Sequence, residues 1–358
     1  MDLMADAVAV MAAQLQKPTL AFLIGGMMLA ALGSRLAIPE QVYKFVVAVL
    51  LIKVGLGAGM SIRETAFTDL VVPALAAIAL GIAIVVLGGM TLARRPGVSR
   101  ADGMATAGLF GAVSASTLAA GMSMLDAEGI AYEGYVAALY PFMDVAALVT
   151  AIVLARRAPA RRVYGALVGG GTGTLVTGGG SGAGSGGDRG EVQRLRDVLL
   201  DTLQSPAISA LLLGLFIGIY AAPQEIYESF YDQLFHGLLS ILMLIMGMEA
   251  WARLSELRKV AVVYLIYGIA APLVHGALGL AAGLLVHHAA GFSQGGVVLL
   301  AVLAASSSDI SGPPTMRGAL PEANSSAYVG TSTGLGTPVA LLAIPLWIAL
   351  ADLLIAPS

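Results

Sequence analysis

Long apolar runs alternate with short polar segments along most of the chain. A helix needs about 20 apolar residues to cross the hydrocarbon core of a bilayer. Runs of this kind predict ten membrane-spanning helices, at residues 18–36, 40–60, 66–93, 102–125, 131–155, 199–221, 230–250, 258–287, 295–319 and 324–354. The pattern therefore predicts an all-α polytopic membrane protein.

The composition supports a membrane protein and excludes other classes. Only 11% of the 358 residues are charged, whereas 58% are hydrophobic; soluble proteins usually carry about 25% charged residues. With 45 glycines, closely packed helices are favoured over a β-barrel. A net charge of −3 argues against nucleic acid as a partner, and the absence of cysteine excludes disulfides, thiol catalysis and cysteine-bound metals.

The basic residues predict the orientation of the chain. Nearly all of them follow odd-numbered spans: Arg35, Arg94, Arg95, Arg100, Arg156, Arg157, Arg161, Arg162, Arg189, Arg194, Arg196, Arg253, Arg258, Lys259 and Arg317. The positive-inside rule then places these loops in the cytoplasm and both termini outside. The start of the chain, MDLMADAVAVMAAQLQ, is acidic, so we expect a short external lead-in rather than a signal peptide.

The two halves of the chain resemble each other. LQKP opens the first span and LQSP the sixth, and Gly59-Met60 and Gly247-Met248 end the second and seventh. A unit of five spans is odd, so the second copy would be inverted, as in many secondary transporters. We predict a first inverted repeat at residues 1–155, a Gly/Ser-rich cytoplasmic flexible linker at 156–197 and a second inverted repeat at 198–358.

Two spans carry small polar residues at matching positions. GAVSAST (residues 111–117) interrupts the fourth span and AASSSDISGPP (residues 304–314) interrupts the ninth. Pro313 and Pro314 cannot donate backbone hydrogen bonds but suit the first turn of a new helix, with Ser311 just before it as a cap. We therefore predict crossed, discontinuous helices whose irregular backbone is buried in protein or lines a cavity.

Crossed breaks of this kind predict an ion site. Two half-helix N-termini would offer N–H groups and partial positive charge to an anion, and no Lys or Arg lies between residues 102 and 126 or between 291 and 316. The carboxylate of Asp309, with the hydroxyls of Ser306, Ser307 and Ser308, would suit a hard cation such as Na+. Packing between membrane helices explains the serines equally well.

Other intramembrane charges leave alternatives open. Asp144, in the fifth span, could complete a cation site or pair with a neighbouring helix, and Lys53, in the second, is a candidate for pairing with an acid on a neighbouring helix. Two membrane aspartates are also typical of intramembrane aspartyl proteases, but the GLGD motif of that class is absent from the sequence.

Several stretches closely resemble the sodium-dependent bicarbonate transporters of the Sbt type: QKPTLAFLIGG, GLFGAVSAST, ALYPFMDVAALVTAIV, LLSILMLIMGMEAW and LAASSSDISGPPT. The resemblance covers both membrane halves and lapses in the linker. It implies a transporter rather than an enzyme, with ten spans, core and gate domains, and no organic cofactor. It also implies Na+-coupled bicarbonate uptake for inorganic carbon supply, a homotrimer in the bacterial plasma membrane, and a PII-like regulatory protein on the cytoplasmic face. The Gly/Ser-rich linker departs from the charged loops expected for such a regulator.

The resemblance also implies a residue-level assignment. Bicarbonate would bind at Phe110, Gly111, Ala112, Val113, Ser114, Ser116, Thr117, Ser311 and Gly312, and Na+ at Ser306, Ser307, Ser308 and Asp309, with Asp144 as a further candidate ligand. Two alternatives stay open at this point. One is a Na+ symporter of the same fold for another small anion, such as a carboxylate. The other is a membrane anchor that holds a nucleotide-sensing regulator.

Overall fold

The computed structural model describes residues 18–64, 67–156, 204–221, 223–257 and 262–355, together with residues 196 and 200. The predicted external lead-in lies outside these ranges, as does nearly all of the predicted linker. The described residues contain helices and no strand, which confirms the all-α prediction for this part of the chain.

Among the described residues, the first half of the chain has six helices and the second has seven, besides one short helical turn. In the first half they are α1 (Pro18–Ala31), α2 (Glu40–Glu64), α3 (Phe67–Thr91), α4 (Arg100–Gly111), α5 (Ala115–Glu128) and α6 (Leu139–Arg156), with 3-10 turns at Leu92–Arg94 and Gly134–Ala138. In the second they are α7 (Pro206–Ala221), α8 (Gln233–Leu257), α9 (Val262–Ala290), α10 (Gln294–Ala305), α11 (Gly312–Ala319), α12 (Ser325–Val329) and α13 (Thr337–Ile355). A helical turn (Gln224–Ile226) and a π-helical segment (Tyr227–Asp232) precede α8, and a second π-helical segment (Gly330–Gly336) joins α12 to α13.

Among the described residues, seven helical segments are long and apolar enough to cross a membrane, and three further apolar helices are shorter. Each of them overlaps one of the predicted ranges, although the ends differ. The first helix ends at Ala31 rather than at residue 36, because Gly33 adopts a left-handed conformation (φ 74°). The N–H of Ser34 then bonds to the carbonyl of Leu29, which closes the helix end.

Helices α1, α2, α7 and α8 pack together as a four-helix unit. Glycines allow their backbones to approach closely: a Cβ on Gly26 of α1 would collide with the Leu244 carbonyl of α8, and one on Gly247 of α8 with the Leu23 carbonyl of α1. Glycines 55 and 59 of α2 meet glycines 214 and 218 of α7 in the same way. Such contacts between small residues are typical of membrane helix interfaces, where apolar burial alone does not drive association.

The remaining helices form a second group, here called the broken-helix unit: α3–α6 and α9–α13. The most apolar stretch of the segment Arg100–Glu128 is 100% buried inside the protein, whereas the most apolar stretch of the segment Asp69–Arg94 is only 33% buried. The interrupted helices therefore lie in the interior, and α3 turns much of its surface outward. Because irregular backbone cannot face lipid without unsatisfied polar groups, the interior is where such interruptions are tolerated.

Lys53 of α2 is the one strongly buried lysine in the described part of the chain. Its Nζ atom lies 3.2 Å from Asp232 Oδ1 and 4.2 Å from the centre of the Phe235 ring. The predicted pairing with an acid near a neighbouring helix is thus confirmed. The charge of Lys53 is thus balanced by an ion pair with the segment before α8 and by a cation–π contact with α8 itself.

Candidate ion site at two broken helices

The fourth predicted span is interrupted as expected. Helix α4 ends at Gly111, and the backbone at Ala112 and Ser114 is extended. The chain becomes helical again at Ala115, where the Ser114 hydroxyl accepts a hydrogen bond from the N–H of Thr117 at 3.3 Å. This is an ordinary N-cap, and it starts α5 deep inside the protein.

The ninth predicted span is also interrupted, over a longer segment. Helix α10 ends at Ala305, and α11 restarts at Gly312 with Pro313 in its first turn, which suits a residue without an N–H. The restart is as predicted, but the capping oxygen belongs to another residue. The hydroxyl of Ser308 accepts the Gly312 N–H at 2.9 Å, whereas the side chain of Ser311 caps nothing, because its backbone is already helical.

The two breaks bond to each other reciprocally. The N–H of Ser114 donates to the Ser306 hydroxyl at 3.1 Å, and the N–H of Ser308 donates to the Leu109 carbonyl at 2.8 Å. A backbone group that has no partner within its own broken helix thereby finds a partner on the other one. Since buried N–H and C=O groups are costly without partners, these bonds hold the crossing in place.

Asp144 of α6 joins both breaks and is fully buried. Its Oδ1 accepts the N–H of Val113 at 3.0 Å, and its Oδ2 accepts the hydroxyl of Ser311 at 2.9 Å. Both carboxylate oxygens therefore have a donor, one from each break. This geometry favours the reading in which Asp144 pairs with neighbouring helices.

Asp309 occupies a different environment, at the junction of the two units, and is only half-buried. Its Oδ2 accepts hydrogen bonds from the Ser116 hydroxyl at 3.0 Å and from the Tyr43 hydroxyl at 3.2 Å. Ser116 lies in the first turn of α5, whereas Tyr43 belongs to α2 of the four-helix unit. This carboxylate is thus held by donors from both units.

The three serines before Asp309 do not converge on one point. The hydroxyl of Ser306 donates to the Leu303 carbonyl at 2.7 Å, and that of Ser307 donates to the Ser332 carbonyl at 3.2 Å. The Ser308 hydroxyl is 2.9 Å from that of Ser311. Side chains along an extended segment point alternately to opposite sides, which explains the divergence. Their role as Na+ ligands stays a prediction.

Among the predicted anion-site residues, Phe110, Gly111 and Thr117 have distinct surroundings. The Phe110 ring packs edge-on against Tyr267, with centroids 5.2 Å apart. A Cβ on Gly111 would lie 2.7 Å from a Val85 methyl carbon, so the missing side chain of Gly111 serves helix packing. The hydroxyl oxygen of Thr117 is buried and has no hydrogen-bond partner among the described residues. It is therefore available to a polar ligand.

Sequence reasoning missed two hydroxyl residues that support the second break. Ser332 of the π-helical segment donates to the Ser308 carbonyl at 3.2 Å, and the Thr337 hydroxyl lies 3.2 Å from that of Ser307. The signal was present in GTSTGLGT (residues 330–337), a run of small polar residues inside an apolar span. Tyr43 was also missed, and nothing in its local sequence distinguishes it from an ordinary aromatic residue in a membrane helix.

The chemistry of the site combines helix ends with oxygen atoms. The first N–H groups of α5 and α11 carry the partial positive charge of a helix N-terminus, which favours an anion. No cluster of three or more His, Cys, Asp or Glu residues occurs within the described ranges. A cation here would be held by one carboxylate together with hydroxyl and carbonyl oxygens, the ligand type of Na+ sites at broken helices.

Among the described residues, seven helical segments long and apolar enough to cross a membrane, together with a buried pair of broken helices, are typical of a multi-pass membrane protein. The family model of the Na+-dependent bicarbonate transporter superfamily matches residues 18–352, and the chain belongs to this family. The resemblance noted in the sequence is thus confirmed, and the protein is a transporter, with Na+ as the co-transported ion, rather than an enzyme. No curated protein matches the chain significantly.

Proposed function

We propose that the protein is a Na+/HCO3− symporter that works by alternating access, with ten spans arranged as two inverted five-helix repeats. The observation that carries this proposal is the pair of buried half-helix N-termini that Asp144 bridges, beside the Asp309 carboxylate, which accepts hydrogen bonds from both units. The inverted repeat is supported by paired contacts, since α1 packs on α8 and α2 on α7 through matching glycines. The reciprocal bonds between the breaks add to that support.

Bicarbonate would bind at the first turns of α5 and α11, as the sequence assignment expects. The residues are Phe110, Gly111, Ala112, Val113, Ser114, Ser116, Thr117, Ser311 and Gly312. The unpartnered hydroxyl of Thr117 supports this position, because a buried hydroxyl without a partner is costly unless a ligand satisfies it. The N–H of Val113 already bonds to Asp144, so the anion would rely chiefly on the first turn of α5.

Na+ would bind at Asp309, beside the anion. A monoanion entering a cell with a negative interior meets a cost of about 2.3 kcal/mol per 100 mV, and one accompanying Na+ cancels that charge movement. The cation would also neutralise the bound anion in a site without Lys or Arg. Ser306, Ser307 and Ser308 remain candidate ligands through their backbone or side-chain oxygens. We assign Asp144 to holding the two breaks in register.

The four-helix unit would correspond to the gate domain and the broken-helix unit to the core domain. Asp309 accepts hydrogen bonds from both units, so a shift of one unit against the other would change its surroundings directly. The family resemblance further suggests a homotrimer in the bacterial plasma membrane and a PII-like regulator on the cytoplasmic face. The distribution of basic residues would place both termini outside.

Uptake of labelled bicarbonate into proteoliposomes tests the proposal, with and without an inward Na+ gradient and with the membrane potential clamped. We expect accumulation only with the gradient. Equal accumulation of bicarbonate with and without the Na+ gradient would contradict symport. Transport of labelled acetate in place of bicarbonate would favour another small anion, and no transport of either would favour the membrane anchor.

A further inference from the structure

Tyr43 is the residue through which the four-helix unit reaches the candidate Na+ site. Its hydroxyl donates to Asp309 Oδ2 at 3.2 Å and lies 3.8 Å from Met246 Sδ of α8. The side chain is half-buried, in the fourth position of α2. The hydroxyl therefore sits between the two units, with the carboxylate on one side and the thioether on the other.

Electrostatics make this hydroxyl important when the cation is absent. A carboxylate removed from bulk water is costly unless donors or a cation compensate its charge. Ser116 supplies one donor from the same unit as Asp309. Glu249 of α8 interacts electrostatically with both Tyr43 and Asp309, and a second carboxylate nearby raises the cost of leaving Asp309 uncompensated.

We propose that the Tyr43 hydroxyl takes the place of Na+ at Asp309 in the empty carrier, and so allows the carrier to release its cation. The inference rests on the proposed symport. Tyr43 is a positioning residue, which acts through the carboxylate, and bicarbonate need not contact it. Na+ arriving at Asp309 would displace the hydroxyl and release the hydrogen bond between the units.

Two transport modes separate this role from a structural one. Net uptake requires the empty carrier to return, whereas exchange of labelled for unlabelled bicarbonate, with equal Na+ on both sides, does not. Tyr43→Phe removes only the hydroxyl and keeps the ring. A hydrogen bond to a charged group is worth roughly ten-fold or more in an equilibrium, so net uptake should fall by about ten-fold while exchange is unchanged.

Tyr135→Phe is the matched control. The Tyr135 hydroxyl donates to the backbone carbonyl of Asp69 at 3.3 Å, outside the breaks. This variant should leave both transport modes as in the wild type. Equal losses of net uptake and exchange in Tyr43→Phe, or no loss in either, would overturn the inference.

A binding measurement on the purified full chain gives a second readout. Because Na+ would no longer compete with the hydroxyl, the Na+ concentration that half-saturates thermal stabilisation should fall several-fold in Tyr43→Phe. A higher value would make Tyr43 a Na+ ligand and would contradict the replacement role. Wild-type protein without Na+-dependent uptake would contradict the symport itself, whereas intact wild-type uptake with an unaltered Tyr43→Phe variant would contradict only this inference.

Discussion

The two membrane aspartates differ in where their hydrogen-bond donors come from, and this difference separates the structural role proposed for Asp144 from the ion site proposed at Asp309. Asp144 is fully buried, and its donors come from the two breaks inside one unit. Asp309 is half-buried, and its donors come from two different units. Donors within one unit stay in place as the units move, but donors on opposite units can separate. We therefore expect Asp309, rather than Asp144, to change its surroundings during the proposed transport cycle.

The largest expected effect is the loss of Na+ coupling in Asp309→Ala. Without this carboxylate, the site has hydroxyl and carbonyl dipoles but no negative charge to balance Na+, so Na+-driven uptake should fall to the level of empty liposomes. Glu322→Gln, which removes an exposed acid, should behave like the wild type. Retention of Na+-dependent uptake by Asp309→Ala, measured in proteoliposomes, would reject this assignment.

Asp144→Ala should instead lower stability. It leaves the Val113 N–H and the Ser311 hydroxyl without their acceptor, and each buried unsatisfied group costs about 1–3 kcal/mol. We expect a lower Tm in detergent, with a smaller loss in Asp144→Asn, whose amide oxygen still accepts one bond. Asp352→Asn, at an exposed position of α13, serves as the control. A raised Na+ half-saturation in Asp144→Asn with an unchanged Tm would make Asp144 a Na+ ligand after all.

Gly336→Ala tests the contact between the π-helical segment and both breaks. The new Cβ would lie 2.6 Å from Phe110 Cζ and 3.0 Å from Ser307 Oγ. Overpacking of this kind costs about 1–3 kcal/mol, so Tm and bicarbonate uptake should both decrease. Gly237→Ala on α8 meets no atom within 4 Å and should change neither. Wild-type uptake by Gly336→Ala would show that this contact does not support the site.

The smallest effect is expected for Ser306→Ala. Its hydroxyl accepts the buried Ser114 N–H, so the variant leaves one group unsatisfied and should lose about 1–3 kcal/mol of stability. The Na+ concentration that half-saturates uptake should be unchanged. Ser240→Ala, which removes an exposed hydroxyl bonded within α8, is the matched control. A clear rise in the Na+ concentration that half-saturates uptake would show that the Ser306 hydroxyl contributes to the Na+ site, as the sequence predicts.

Local patterns predicted the helices and their interruptions well. Apolar runs located the seven long apolar segments of the described residues, because the length needed to cross hydrocarbon leaves little freedom. Pro313 and the cluster of small polar residues located the restart of α11. Errors remained at helix ends, where one residue decides the outcome, as Gly33 does for α1.

The partners of the polar groups were harder to predict. The assignment of a helix cap to Ser311 was reasonable by position, but Ser308 supplies the oxygen because the extended segment turns its side chain toward Gly312. Likewise, the sequence left open whether Asp144 binds a cation or pairs with a neighbouring helix, and it did not reveal the two donors that the structure places at its oxygens. Such choices depend on side-chain directions in an irregular segment, which have no sequence period.

The sequence by itself determined the membrane class, the helical ranges, the family and the two polar interruptions, because each depends on local composition or on residues that are adjacent in the chain. Only the tertiary structure decided that the interruptions satisfy each other, that Asp144 binds them together and that Tyr43 reaches Asp309 from the other unit. These contacts join residues more than 30 and up to 266 positions apart. The physical reason is that a buried polar group must find a donor or acceptor somewhere, and in an apolar chain that partner usually comes from a distant segment.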